Sequence, residues 1–181
     1  MQTHSRRIVR WITLAAVVIL MTACSTIAVG PAPTLDRTAK WGILPFVNQT
    51  ETPQAGLRAE SITESLLRAG GIGNLKRYPA ALNTETLFEP MDRKQADAAL
   101  AWARTENIRY AVGGSVDEWR YKVGIDGEPA AGVALQLIDV QSGEVLWAAA
   151  GGMTGWSRES LAGVAQKLIS KLMRPVLAVA R

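Results

Sequence analysis

Asp139-Val140-Gln141-Ser142-Gly143-Glu144-Val145-Leu146-Trp147 carries a short polar turn between two apolar, β-prone runs. Gln141-Ser142-Gly143 is the turn, and residues 133–140 and 144–150 are the strands of a hairpin. Upstream, Asp126-Gly127 is a strong hairpin signal, because both residue types tolerate the left-handed backbone such turns need. It joins residues 131–140 to an earlier strand over 109–123. Three strands linked by two tight turns predict an antiparallel meander. Along the first strand, Asp117, Trp119, Tyr121 and Val123 are predicted to share one face, and Glu118, Arg120 and Lys122 the other. The alternation suits a half-buried strand, with Trp and Tyr inward and charges outward; the other reading is a Trp/Tyr platform for sugar stacking. Gly113-Gly114 is the predicted bulge or bend.

A helix follows the meander. Ser157 is the predicted N-cap, and Leu161, Val164, Ala165, Leu168 and Leu172 form an apolar stripe at helical spacing. Pro175 should bend or end it. Before the meander, Trp41-Gly42-Ile43-Leu44-Pro45-Phe46-Val47 reads as a strand, with Pro45 placing it at an edge or near its end. Ala55, Ala59, Ile62, Leu66 and Ala69 predict an amphipathic helix that begins near Pro53 and stops at Gly70. Residues 75–81 suggest a short strand. Asp92 and Gln95 have capping-box spacing for a helix whose narrow face is Ala96, Ala99, Leu100 and Ala103. The predicted fold is a single α/β domain. Its sheet is mixed but mostly antiparallel, with a C-terminal three-stranded meander and helices packed against it.

The extreme N-terminus has a different character. Arg6, Arg7 and Arg10 precede an apolar stretch over 11–21, and small residues lead to Cys24, the single cysteine. A charged region, a short apolar region and a small residue before the cut make a secretory signal. The apolar run is short for a membrane span. Small residues followed by Cys resemble the lipobox of bacterial lipoproteins, which implies acylation of Cys24 and removal of residues 1–23. Ser25 in place of Asp resembles an outer-membrane sorting signal of Gram-negative lipoproteins. Residues 24–39, with Pro31 and Pro33, are expected to be a flexible tether, and residues 40–181 the domain.

Taking 23 residues from 181 leaves 158, enough for one domain with its own core. Losing three Arg lowers Lys+Arg from 20 to 17 against 16 acidic residues, so the net charge of +4 falls to about +1. Nucleic acid is therefore not an expected partner. His4, the single histidine, lies in the same segment. Without it, Ser-His-Asp and Cys-His catalysis and the usual His/Cys zinc sites drop out. Carboxylate pairs and a Ser-Lys pair remain. Gly70-Gly71-Ile72-Gly73 ends a helical pattern instead of opening one, so it reads as a cap and not a phosphate cradle. No cofactor and no metal are expected.

Two features resemble a known group of envelope proteins. Ile43-Leu44-Pro45-Phe46 with Asn48, and the hairpin quoted first, are similar to the domain shared by curli-secretion lipoproteins, penicillin-binding-protein activators and the N-terminal part of TolB. Glu118-Trp119-Arg120-Tyr121-Lys122-Val123-Gly124 through Pro129 narrows this, as does the stretch from Ala150-Gly151-Gly152 through Thr154-Gly155-Trp156 to Leu161. Both resemble the PelC lipoproteins of Pel exopolysaccharide export, over most of residues 40–172. That resemblance implies a protein without catalytic activity, anchored at the outer membrane and assembled into a dodecameric ring. The ring's acidic face would guide a cationic polysaccharide to an outer-membrane porin. Asp126 and Glu128, then Asp117 and Glu118, are the candidate acidic guides. Trp156 is the candidate membrane-interface residue, although its position before Ser157 also fits a hydrophobic staple. Two other classes stay open: an envelope lipoprotein that activates a peptidoglycan synthase or supports a secretion pore, and a carboxylate-based glycan hydrolase.

Overall fold

A computed structural model describes residues 25–82, 93–124 and 127–179. Six strands form one mixed sheet: β1 (Ser25–Val29), β2 (Trp41–Asn48), β3 (Leu75–Arg77), β4 (Tyr110–Tyr121), β5 (Pro129–Asp139) and β6 (Val145–Thr154). Their order across the sheet is β1-β6-β5-β4-β2-β3. β4, β5 and β6 form the expected antiparallel meander. β2 runs parallel to both β4 and β3. Among the described residues, three helices complete the fold: α1 (Ala55–Ala69), α2 (Arg93–Thr105) and α3 (Leu161–Val179).

The sheet has two unlike faces. α1 and α3 cover one of them, where Trp41, Phe46, Trp119, Leu135 and Leu137 meet Leu67, Leu168 and Leu172. This is the main core, and its large side chains are almost wholly out of water. α2 covers part of the other face with a smaller cluster built on Leu44, Ala99, Ala103, Ile108 and Ala111. The small alanine face predicted for this helix lets its axis lie close to the sheet. Gln95 is described, but Asp92 of the predicted capping box lies outside the described residues.

Several expectations are corrected. Residues 25–29, read as part of a flexible tether, form β1, which pairs antiparallel with β6 from Ser25↔Met153 to Val29↔Ala149. All five of its residues are exposed, so it has no inward-outward alternation to betray it. The rest of that segment is also tied down: Leu35 is buried, and an Arg37 Nη2 donates to the Leu177 carbonyl at 2.7 Å.

Pro45 lies beyond Trp41–Ile43, the only part of β2 that β3 covers, so that side of the strand is open at the proline as expected. The proline sits where the register against β4 shifts, between Ile43 and Phe46. The Phe46 N–H instead donates to the Glu60 carboxylate at 3.1 Å. Glu60 is 2% exposed and is paired with Arg77 at 2.9 Å. A buried carboxylate thus takes up a strand donor and is neutralised by the neighbouring strand.

The bulge in β4 lies between Val116 and Glu118, opposite Gly132, and not at Gly113-Gly114. Gly114 has another role: a Cβ there would lie 2.1 Å from the Ala134 carbonyl oxygen. The bulge takes Asp117 off its predicted face, while Trp119 and Tyr121 keep theirs on the α3 side. Val116 and Trp119 both point into the core, with exposed Asp117 and half-buried Glu118 between them. Trp119 is 2% exposed, so it is a core residue and no stacking platform.

On α1, the buried line is Ala55, Ala59, Thr63 and Leu67, while Ile62 and Leu66 are half-buried and Ala69 is exposed. The helix is therefore turned by about one residue from the predicted stripe. It starts at Ala55 after Gln54, two residues beyond Pro53, and closes through Ile72 N–H to the Leu67 carbonyl at 3.0 Å. The strand predicted over 75–81 is shorter, and a 3-10 turn occupies Ala80–Leu82. α3 is capped by Ser160, not Ser157: the Gly163 N–H donates to Ser160 Oγ at 3.1 Å. Pro175 lies inside the helix without ending it.

Candidate functional site: one end of the sheet

The strand register collects several predicted residues at one end of the sheet. Ser25 pairs with Met153, so Ser25 and Trp156 belong to the same end. Ala130 pairs with Thr154, and Tyr121 with Pro129, which brings the β4–β5 loop to that end as well. Cys24 and Asp126 lie outside the described residues.

Trp156 is held by its backbone and not by its ring. Its N–H donates to Glu159 Oε2 at 3.0 Å, and the Glu159 N–H returns a bond to the Trp156 carbonyl at 2.8 Å. Lys167 pairs with the other oxygen of Glu159. The Lys167 hydrogen bond, and then the Trp156 N–H, hold the Glu159 carboxyl below the ordinary glutamate value of 4.5. Gly155 allows this turn to pack tightly, since a Cβ there would meet Val164 Cγ2 at 2.3 Å and Glu159 Oε2 at 2.6 Å. The indole itself is 64% exposed. Tyr121 and Val123 are also exposed at this end. Tyr121 Oη accepts from the Leu161 N–H at 3.2 Å and so serves the first turn of α3. Lys122 Nζ donates to Thr154 Oγ1 at 2.8 Å, tying the loop to β6.

Sequence reasoning passed over Glu159 and Gly155, and placed Tyr121 on a strand face without its bond to α3. Trp156-x-x-Glu159 was a visible signal: a Glu three residues on can reach back to a free N–H. Nothing local pointed to Tyr121, which acts across 40 residues.

Among the described residues, the acidic candidates Asp117, Glu118 and Glu128 are held in different ways. Asp117 accepts from Ser115 Oγ at 2.9 Å, within the bulge. Glu118 is ion-paired with Arg120 at 3.0 Å, which cancels much of its field. Glu128 is exposed in the loop. It lies four residues before Gly132, the partner of Glu118, so it is roughly 13 Å further along the strand. Among the described residues, no group of three or more His, Cys, Asp or Glu could hold a metal ion. No helix among them is long and apolar enough to cross a membrane.

The sequence and fold together match a known protein. A PelC dodecamer from Paraburkholderia phytofirmans is 44% identical, with TM-score 0.73, over 85% of this chain and 98% of that one. The chain belongs to the PelC family. A methionine variant of the same PelC, again a dodecamer, gives 44% identity and TM-score 0.73 over 84% of this chain and 97% of that one. Lipoprotein GNA1162 from Neisseria meningitidis is 17% identical with TM-score 0.49, over 76% and 96% of the two chains, too distant to carry an argument. No family model matches the chain, and no curated protein does.

Proposed function

We propose that this PelC-family chain is a periplasmic lipoprotein anchored to the outer membrane through acylated Cys24. It assembles into a homo-oligomeric ring and guides a cationic exopolysaccharide, Pel, to its export porin. It has no catalytic role. The observation that carries this reading is the 44% identity to PelC across 98% of that chain, a protein that forms a dodecamer.

The geometry supports an orientation. Ser25, the residue after the anchor, lies at the same end of the sheet as exposed Trp156, Tyr121 and Val123. Trp and Tyr suit the headgroup zone, where an apolar ring and a polar edge are both satisfied. That end therefore faces the bilayer. Two or three acyl chains give lasting attachment, and the aromatic residues set the tilt. Carboxylates lining the centre of the ring would raise the local concentration of a polycation without binding any one sugar tightly. Asp126 and Glu128 are the leading candidates, since Glu118 is already paired with Arg120.

The deciding experiment is complementation of polymer secretion in cells lacking the protein. Cys24→Ser should leave the chain unlabelled by palmitate, release it from membranes and abolish secretion. Normal secretion by a soluble, unlabelled variant would sink the anchored reading. Asp126→Lys with Glu128→Lys should lower secretion while the fold and ring persist. Unchanged secretion would remove these two residues from the account. Trp156→Ala should weaken flotation with liposomes and leave the thermal midpoint nearly unchanged. A large fall in that midpoint with unaltered flotation would assign Trp156 to packing.

A further inference from the structure

α2 is one helix wide, and the sheet beneath it is not. Beyond the helix, the outer face of β5 and β6 presents Ala134, Gln136, Ala148 and Ala150, all at least partly exposed. A groove of about 370 Å³ runs along the flank of α2, lined by Leu44, Ala96, Leu100, Ala134 and Ile138, with Asp97 on its rim. Asp117 reaches the same face through its bond to Ser115, which also lines the groove. The opposite side of the molecule has the reverse chemistry. α3 contains no Asp or Glu, and Lys167, Lys171 and Arg174 fall at i, i+4 and i+7 on its outer face. Lys167 is paired with Glu159. Lys171, Arg174, Asp97 and Asp117 have no ion-pair partner among the described residues.

A ring of identical subunits needs two different, complementary faces on each copy. In a ring of twelve, successive copies turn by about 30°, so those two faces lie nearly opposite each other on the subunit. The open sheet face and the outer face of α3 are opposite in this way, because the sheet separates them. One is apolar with an acidic rim, and the other is cationic.

We propose that the occupant of the groove is a second copy of this chain, which lays the outer face of α3 on the open half of the sheet and sets Lys171 and Arg174 against Asp97 and Asp117. The assignment rests on the ring reading above and goes beyond it by naming both surfaces. The small side chains on β5 and β6 let a helix approach closely, and burying them removes an apolar surface from water. The facing charges fix which side of the helix docks.

The test uses the detergent-solubilised lipoprotein purified from membranes, with its mass read by light scattering. Lys171→Glu with Arg174→Glu should lower the mass to that of smaller species, with assembly weakened about tenfold or more. Asp97→Lys with Asp117→Lys should do the same. All four changes together should restore the wild-type mass. All positions are exposed, so thermal melts should match wild type and separate lost assembly from lost folding. A monomeric wild-type protein would overturn the ring reading itself. A wild-type ring that survives both double variants would overturn only this pairing of surfaces, as would two broken rings that the fourfold variant fails to restore.

Discussion

The two faces of the sheet solve different problems with the same strands. Under α1 and α3, every strand except β1 contributes a large side chain, and Trp41, Phe46 and Trp119 are fully or almost fully buried. Under α2 and beyond it, the same strands present Gly, Ala and Ser, and Ala148 and Ala150 stay in contact with water. Large interlocking side chains make one face responsible for holding the monomer together. Small flat residues contribute little to that and leave the other face available. The fold therefore separates stability from assembly across a single layer of backbone.

The sharpest way to break this contrast is at Trp119. Trp119→Ala should cost about 3–5 kcal/mol in urea denaturation, through lost burial and the cavity left behind. A loss below about 1 kcal/mol would mean that the covered face does not dominate stability. Glu60→Ala should come next, at about 3 kcal/mol, because it leaves Arg77 without its buried partner and Phe46 N–H without its acceptor. A near-neutral result would show that water replaces the carboxylate. On the other face, Ala103→Leu should cost about 1–3 kcal/mol by overpacking α2 against the sheet. Ala148→Arg should change the stability of the protomer by less than about 0.5 kcal/mol. If it unfolds the protomer instead, the open face is part of the core and the contrast fails.

The smallest effect is electrostatic. Glu106, just after α2, pairs with Lys76 at 2.7 Å and Lys40 at 3.3 Å, and so ties the helix end to β2 and β3. The Lys76 hydrogen bond, followed by that from Lys40, lowers its pKa below the ordinary 4.5. A depressed carboxylate adds stability that is present above its unfolded pKa and fades as pH falls through the folded one. Glu106→Gln should thus lower the melting temperature slightly at neutral pH, leave it almost unaffected at acid pH, and so flatten the decline between the two. An unchanged acid limb would assign that decline to other carboxylates.

The meander was legible because its signals are local. Two glycine-bearing turns and the β-prone runs around them specify three antiparallel strands without reference to anything distant. α3 was legible for the same reason, since its long 3.6-residue stripe holds from Val164 to Leu172. What failed depended on partners far along the chain. β1 offers five exposed residues after a cysteine, and only its pairing with β6 makes it a strand. The turn of α1 follows from Glu60, a buried acid that no periodicity rule would place inward. The bulge was sought at two glycines, but Val116 and Trp119 facing inward three residues apart were its true mark. At the candidate site, Trp156 was visible as a residue type, whereas the turn that holds it combines Gly155, Glu159 and Lys167. The acidic guides were chosen by type and position, and ion pairing such as that of Glu118 with Arg120 is invisible until the strand is folded.

β1 has a further consequence. With Cys24 acylated, the lipid would join a hydrogen-bonded strand with no spacer in between, and the protein would ride the membrane on a leash of almost no length. Every copy would then diffuse in two dimensions at the same height and with little freedom to tumble. Encounters between copies would become a lateral search among pre-aligned bodies, with a local concentration far above that of the same number of molecules spread through the periplasm. Weak contacts between subunits would suffice under those conditions, and a flexible insert before Ser25 would remove the advantage without altering a single contact.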